Sequence, residues 1–202
     1  MGARRLALPQ DTVRTDPLPT VTMRPSKLVR ISRGTENEPF FGTSGANRFD
    51  APGCPVAPEY ATCYFGTTLA VALGETVLHD LTPIGGEFLV PLADLEAQNL
   101  LRFGGRLLHL ADLTGVNLKR IGGHADLAGT DDYAITQQWA LAVYLNSGSL
   151  DGFQYMSRHV NNAIAVMLFD RAKKKLWLTS HIKLLNEKGF HALAATFRIV
   201  PV

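Results

Sequence analysis

The residues best suited to chemistry gather between Asn47 and Asp80: Asn47-Arg48-Phe49-Asp50, then Tyr64-Phe65-Gly66-Thr67-Thr68, then Gly74-Glu75-Thr76-Val77. An arginine, a tyrosine and an acid stand where a strand, a turn and an amphipathic helix can converge on one cleft. That combination suits a ligand bearing phosphate. Arg48 follows Gly45-Ala46-Asn47, a segment able to turn backbone N–H groups toward an anion. Arg30 lies upstream between Val29 and Ile31, and two guanidinium forks close together match a pyrophosphate better than lysines, because each planar fork donates in pairs. Each residue also has a plainer reading. Arg30 by itself pairs with a surface carboxylate. Tyr64 is either a core aromatic with a bonded hydroxyl or a ring that stacks on a flat heterocycle. Glu75 by itself is an exposed helical glutamate, although Gly74 and Thr76 beside it leave room for a ligand. Ser157 closes the run Gly152-Phe153-Gln154-Tyr155-Met156 and precedes Arg158-His159. No Gly-x-Ser-x-Gly elbow surrounds it, so it reads as a hydrogen-bonding group and not as a hydrolase nucleophile.

Other chemistries lack a pattern. The six histidines are scattered without HExxH or other ligand spacing, so no metal site is expected. Gly85-Gly86, Gly104-Gly105 and Gly122-Gly123 match neither a Walker loop nor GxGxxG and read as turns. Cys54 and Cys63 have no partner motif and read as free, partly buried thiols. With 20 basic against 18 acidic residues and a net charge of +2, the balance does not argue for nucleic acid. Lys173-Lys174-Lys175 is the one basic run and reads as a solvated hairpin tip. No run of about 18 apolar residues is present to cross a bilayer, and the first thirty residues lack the apolar centre of a secretory signal. A cytoplasmic protein without membrane contact is expected.

The elements that must hold these groups are fairly legible. At 202 residues and 46% hydrophobic, the chain fits one domain with one core. Residues 1–26, with four prolines and no period, read as an N-terminal arm that is flexible or wraps the domain, and 27–202 as the domain itself. A strand is expected at 28–32 with Arg30 facing away from Val29 and Ile31. A long Gly/Pro/Asn/Asp-rich loop follows, of the kind that is usually functional. A strand at 61–66 leads into a helix capped by Thr67 or Thr68, in which Leu69, Ala72, Leu73, Thr76 and Val77 form the core stripe and Glu75 lies off it. Further strands are expected at 87–91, 106–110, 152–156, 163–169, 175–179 and 194–200, with helices at 131–146 and 183–188. Strands in succession without regular crossovers point to an α+β domain with a mixed, mostly antiparallel sheet.

Arg30, Glu75 and Ser157, in that order, make the chain resemble the RES domain family, named for an Arg, a Glu and a Ser. Arg30-Ile31-Ser32-Arg33 is similar to that family's first strand and Asn47-Arg48-Phe49-Asp50 to its Gly-Arg-Phe segment, with Asn47 where glycine is usual. Cys63-Tyr64-Phe65-Gly66-Thr67-Thr68-Leu69-Ala70, with Ala72 and Glu75, looks like its strand and helix. Thr136-Gln137-Gln138-Trp139-Ala140, Asp151 to Arg158 and Ala165 to Asp170 look like its closing half. The resemblance implies a fold similar to ADP-ribosyltransferases and a toxin that consumes NAD. It implies NAD as substrate, inorganic phosphate as the preferred co-substrate, no prosthetic group, and an Xre-type antitoxin as partner, with a homo-oligomer or a toxin–antitoxin complex as the assembly. Glu75 would then stabilise the ribosyl cation, Arg30 and Arg48 would hold the pyrophosphate, Tyr64 would stack near nicotinamide, and Ser157 would hydrogen-bond nicotinamide or ribose. Catalytic Arg30, Glu75 and Ser157 and NAD-binding Arg30, Arg48, Tyr64 and Ser157 are thus the expected site. Hydrolysis of NAD, ADP-ribosyl transfer to protein, and non-catalytic binding of a nucleotide or antitoxin are the competing expectations.

Overall fold

In the computed structural model, which describes residues 5–202, the chain begins with a single helical turn, α1 (Thr12–Thr15), and an extended strand, β1 (Thr20–Met23). A short 3-10 turn at Pro25–Lys27 then delivers β2 (Val29–Ser32). After the long loop come β3 (Thr62–Gly66), α2 (Leu69–Thr76), β4 (Phe88–Val90), α3 (Leu92–Ala97), β5 (Asn99–Gly105) and β6 (Leu108–Leu113). Three helices follow, α4 (Gly115–Arg120), α5 (Asp126–Gly129) and α6 (Tyr133–Asn146), before β7 (Gly152–Met156) and β8 (Ile164–Phe169). A 3-10 stretch, Asp170–Lys175, leads to β9 (Leu176–Lys183), α7 (Phe190–Phe197) and β10 (Ile199–Pro201).

One 8-stranded sheet, ordered β1-β6-β7-β8-β3-β2-β5-β9, carries the domain, with β10 and β4 forming a small parallel pair beside it. Within the large sheet only β6 and β7 run parallel, and every other pairing is antiparallel. The architecture is α+β, as its sequence pattern indicated. Because side chains alternate along a strand, β8 serves two cores at once. Ala165, Met167 and Phe169 enter a cluster with Trp139, Ala142 and Val143 of α6, while Val166 and Leu168 enter another with Phe65, Leu101, Phe103 and Leu108. A third cluster joins Ala72 and Leu73 of α2 to Val29 and Ile31 of β2, Leu100 of β5 and Phe190 of α7.

Several sequence expectations are corrected here. The stretch from 194 is a helical end and not a strand: Phe190, Leu193, Ala194 and Phe197 repeat at helical spacing, and Arg198, in the left-handed region at φ 57°, closes α7 before β10. The expected helix at 183–188 is only a 3-10 turn, Leu184–Asn186. Gly104-Gly105 lies inside β5, where a Cβ on Gly105 would collide with the carbonyl oxygen of Lys175. The lysine run is not a hairpin tip, because β8 and β9 do not pair. Lys175 Nζ instead reaches the buried Asp151 carboxylate at 2.7 Å. Cys54 and Cys63 are both free. Among the described residues, no helix is long and apolar enough to cross a membrane.

Residues 5–26 pack on the domain. Leu6, Val13 and Leu18 are buried in the α6 cluster, Trp139 Nε1 donates to Ala7 O at 2.9 Å, and β1 is paired with β6 at the sheet edge.

Candidate functional site

Four elements meet around one cavity of about 610 Å³, a volume inside the roughly 300–1,000 Å³ range of small-molecule sites. β2 contributes Arg30, the long loop Asn47 and Arg48, β3 Tyr64, and α2 Glu75, with Tyr133 and Tyr155 also in the lining. Arg30, Arg48, Tyr64 and Glu75 therefore share one cavity, as their sequence pattern anticipated.

The position of α2 is set by close backbone approach. Thr68 caps the helix, its hydroxyl accepting from Val71 N at 3.2 Å. Gly66, at the end of β3, must lack a side chain, since a Cβ would stand 2.6 Å from Ala72 N. Val71, Ala72 and Leu73 face the core, so Glu75 projects from the side of α2 that borders the cavity. Its Oε1 accepts a hydrogen bond from Ser157 Oγ at 2.6 Å.

That contact changes the reading of Ser157. The side chain is buried, and its oxygen also accepts from the backbone N–H groups of His159 at 3.3 Å and Val160 at 3.1 Å. Its one proton is given to Glu75, and Ser157 is not among the residues lining the Arg30 cavity. Ser157 and Arg158 instead line a separate, more apolar cavity with Leu113, Leu118 and Leu127. Arg158 Nη1 pairs with the exposed Asp131 at 2.9 Å.

The loop carrying Arg48 is organised by Asp50, which sequence reading passed over. This fully buried carboxylate accepts from Ser44 Oγ at 3.0 Å, Asn47 N at 3.1 Å, Asn47 Nδ2 at 3.0 Å, Thr62 Oγ1 at 2.6 Å and, more loosely, Tyr64 OH at 3.4 Å. The backbone donor of Asn47 is thereby spent on an internal anion. From the other side, Thr136 Oγ1 of α6 donates to Arg48 O at 2.6 Å, and Gln137 Nε2 donates to Gly45 O and Asn47 O. Phe49 fills the space beneath, with its ring 4.9 Å from those of Phe153 and Tyr155 in edge contacts.

Electrostatics distinguish the two arginines. Arg30 Nη1 donates to Tyr64 O at 3.1 Å and its Nε lies 3.3 Å from the buried Glu38 carboxylate, so much of its charge is already balanced. Arg48 is buried; its Nη1 donates to Thr130 O and its guanidinium lies 4.8 Å from the Tyr133 ring centroid, yet Nη2 is buried with no partner. Burial pulls its pKa below the ordinary guanidinium value, with Tyr133 opposing that shift and Arg158 adding to it. A desolvated cation with an idle donor is poised for an anion. The Tyr64 hydroxyl accepts from Phe49 N at 3.0 Å, and burial, then Asp50, drives its pKa well above the usual tyrosine value. It is a neutral, half-buried side chain in the lining of the cavity.

Histidines that look scattered in sequence also converge here. His79 follows α2 and His159 comes from the loop between β7 and β8; their ligand atoms and that of Glu75 all lie within 4.8 Å of one another.

An α+β domain with a carboxylate hydrogen-bonded to a buried serine beside an arginine-lined cleft defines the class. The profile of the RES domain matches residues 27–184, and the chain belongs to that family. Among solved structures, the M. tuberculosis MbcT–MbcA toxin–antitoxin complex contains a chain similar in fold, with a TM-score of 0.66 and 16% identity over 95% of this chain and 99% of that one. No curated protein matches this sequence.

Proposed function

We propose that the protein is an NAD-degrading toxin that breaks the nicotinamide–ribose bond and passes the ribosyl group to inorganic phosphate, giving nicotinamide and ADP-ribose-1″-phosphate. The observation that carries this reading is the Glu75 carboxylate, fixed by Ser157 at 2.6 Å and facing the same cavity as Arg48 with its unpartnered Nη2. As the C–N bond breaks, its electron pair leaves with nicotinamide and positive charge builds at the ribose carbon. A preorganised carboxylate beside that carbon stabilises the charge, because it is already oriented and only partly solvated. Arg48, helped by Arg30, holds the pyrophosphate, and the Tyr64 ring forms the wall for a planar group. A phosphate oxygen then bonds to the ribose carbon. Family membership and the likeness in fold to a toxin from a toxin–antitoxin complex support the same reading and make an Xre-type antitoxin the expected partner. The reading invokes no prosthetic group.

Water or a protein side chain in place of phosphate would make the same site an NAD glycohydrolase or an ADP-ribosyltransferase. Incubating the purified protein with NAD, with and without phosphate, and identifying products by mass spectrometry separates these outcomes. ADP-ribose-1″-phosphate is expected when phosphate is present. Free ADP-ribose at the same rate in both reactions would replace phosphorolysis with hydrolysis, and intact NAD would reduce the protein to a binding domain.

A further inference from the structure

The geometry points to a second ligand at the edge of this cleft: a zinc-class divalent cation held by Glu75, His79 and His159. Glu75 and His79 are four residues apart where α2 ends, and α2 meets His159 of the β7–β8 loop because Gly74 has no side chain. A Cβ there would lie 2.9 Å from the Cβ of His159. The two imidazole rings stand 5.3 Å apart, and the three ligand atoms lie within 4.8 Å of one another. Tetrahedral zinc, with bonds of about 2.1 Å, needs ligand atoms roughly 3.4 Å apart, a contraction that side-chain rotation can supply.

A second observation is independent of that spacing. His79 Nδ1 and His159 Nε2 are both buried with no hydrogen-bond partner. Buried polar atoms are seldom left unpaired, and an imidazole nitrogen that meets no donor is a ready metal ligand. On its other side, His79 Nε2 lies 3.7 Å from Asp80 Oδ1, too far for a hydrogen bond. Two imidazoles and one carboxylate, with a fourth position open, suit zinc; magnesium and calcium prefer all-oxygen shells. The nearby Arg48 and Arg158 charges oppose any cation, so binding here is weaker than at a closed structural site.

A bound ion claims the Glu75 carboxylate and so blocks the NAD chemistry. This consequence rests on the proposed function; ion binding does not. The test is calorimetric titration of the full chain with ZnCl2 in phosphate-free buffer, with MgCl2 as comparison, for wild type, His79→Gln, His159→Gln and the distant His124→Gln. Wild type and His124→Gln are expected to bind one zinc ion per chain, and the other two variants to bind about tenfold or more weakly. Thermal melts of each variant separate lost binding from lost folding. For any variant that melts early, the Co2+ absorption spectrum of wild type decides the matter: tetrahedral bands support the site, and their absence overturns it. Absent zinc binding by wild type, or equal affinity in a folded His79→Gln, overturns the site. NAD degradation is then followed with zinc: inhibition in wild type that is relieved in His79→Gln supports the blocking role, and inhibition of both alike overturns it. Protein that binds zinc at this cluster but never degrades NAD leaves the site standing and overturns the proposed function instead.

Discussion

At the scale of single residues, the proposed function divides the site into groups that would meet the substrate and groups that would aim them. Glu75→Gln keeps shape and the Ser157 contact but removes charge, and it is expected to lower NAD turnover about 100-fold or more at an unchanged melting temperature. Near-normal turnover by the folded variant would remove Glu75 from the reaction. Arg48→Lys retains charge but loses the planar fork, so its expected effect is a raised KM with a smaller change in kcat, measured in initial-rate assays. An unchanged KM would sever Arg48 from substrate. Ser157→Ala acts through Glu75: kcat should fall while KM holds. Unpairing the part-buried N–H groups of His159 and Val160 should cost about 1 kcal/mol of stability in denaturant titration.

Elements matter because the cleft exists only where β3, α2 and the β7–β8 loop approach closely. Gly66→Ala forces a Cβ against Ala72 N at 2.6 Å and Thr68 O at 2.8 Å, which are backbone atoms that cannot swing aside. Its expected cost is about 1–3 kcal/mol in a chemical melt, with lower turnover because the start of α2 is displaced. An unaltered melt would mean that this packing tolerates a methyl group. Asp112, at the end of β6, is a different kind of joint. It accepts from Thr114 Oγ1 at 2.6 Å, Asn117 Nδ2 at 2.7 Å and Gln154 Nε2 at 2.9 Å, tying the start of α4 and the neighbouring strand β7 to β6. Burial tends to raise its pKa, but the hydrogen bonds from Thr114, Gln154 and Asn117 together outweigh it and leave the folded pKa below the ordinary value. A depressed carboxylate pKa gives stability that is present above the unfolded pKa and lost as pH falls through the folded one. Wild type should therefore lose stability below about pH 4, and Asp112→Asn should flatten part of that slope. Equal acid profiles would exclude Asp112 as a contributor.

For the molecule as a whole, the N-terminal residues and the Arg48 side of the cleft are joined through α6. Residues 5–18 bury Leu6, Val13 and Leu18 against the helix whose Thr136 and Gln137 clamp the Arg48 loop. Removing residues 1–18 should lower Tm by roughly 5 °C or more, since each buried aliphatic side chain contributes about 1.5–3 kcal/mol before the ordering cost of the segment is set against it. It should also weaken NAD binding more than a change on the opposite face. A calorimetric scan superimposable on that of the full chain would show the segment to be dispensable.

Local sequence determined the strands at 152–156 and 163–169, the capped helix at 69–76 and the α+β class, because alternation, helical spacing and a threonine cap are properties of neighbours along the chain. It also brought forward Arg30, Arg48, Tyr64 and Glu75, whose chemical types stand out against an apolar background. Only the tertiary structure decided that Asp50, not a ligand, receives the Asn47 backbone donor, that Ser157 serves the Glu75 carboxylate, that Arg158 turns away to Asp131, and that His79 and His159 face one another. Those four outcomes depend on how side chains settle once the fold has brought their segments together. Such meetings are set by sheet register and by which glycines let two backbones touch, and neither leaves a periodic trace in sequence.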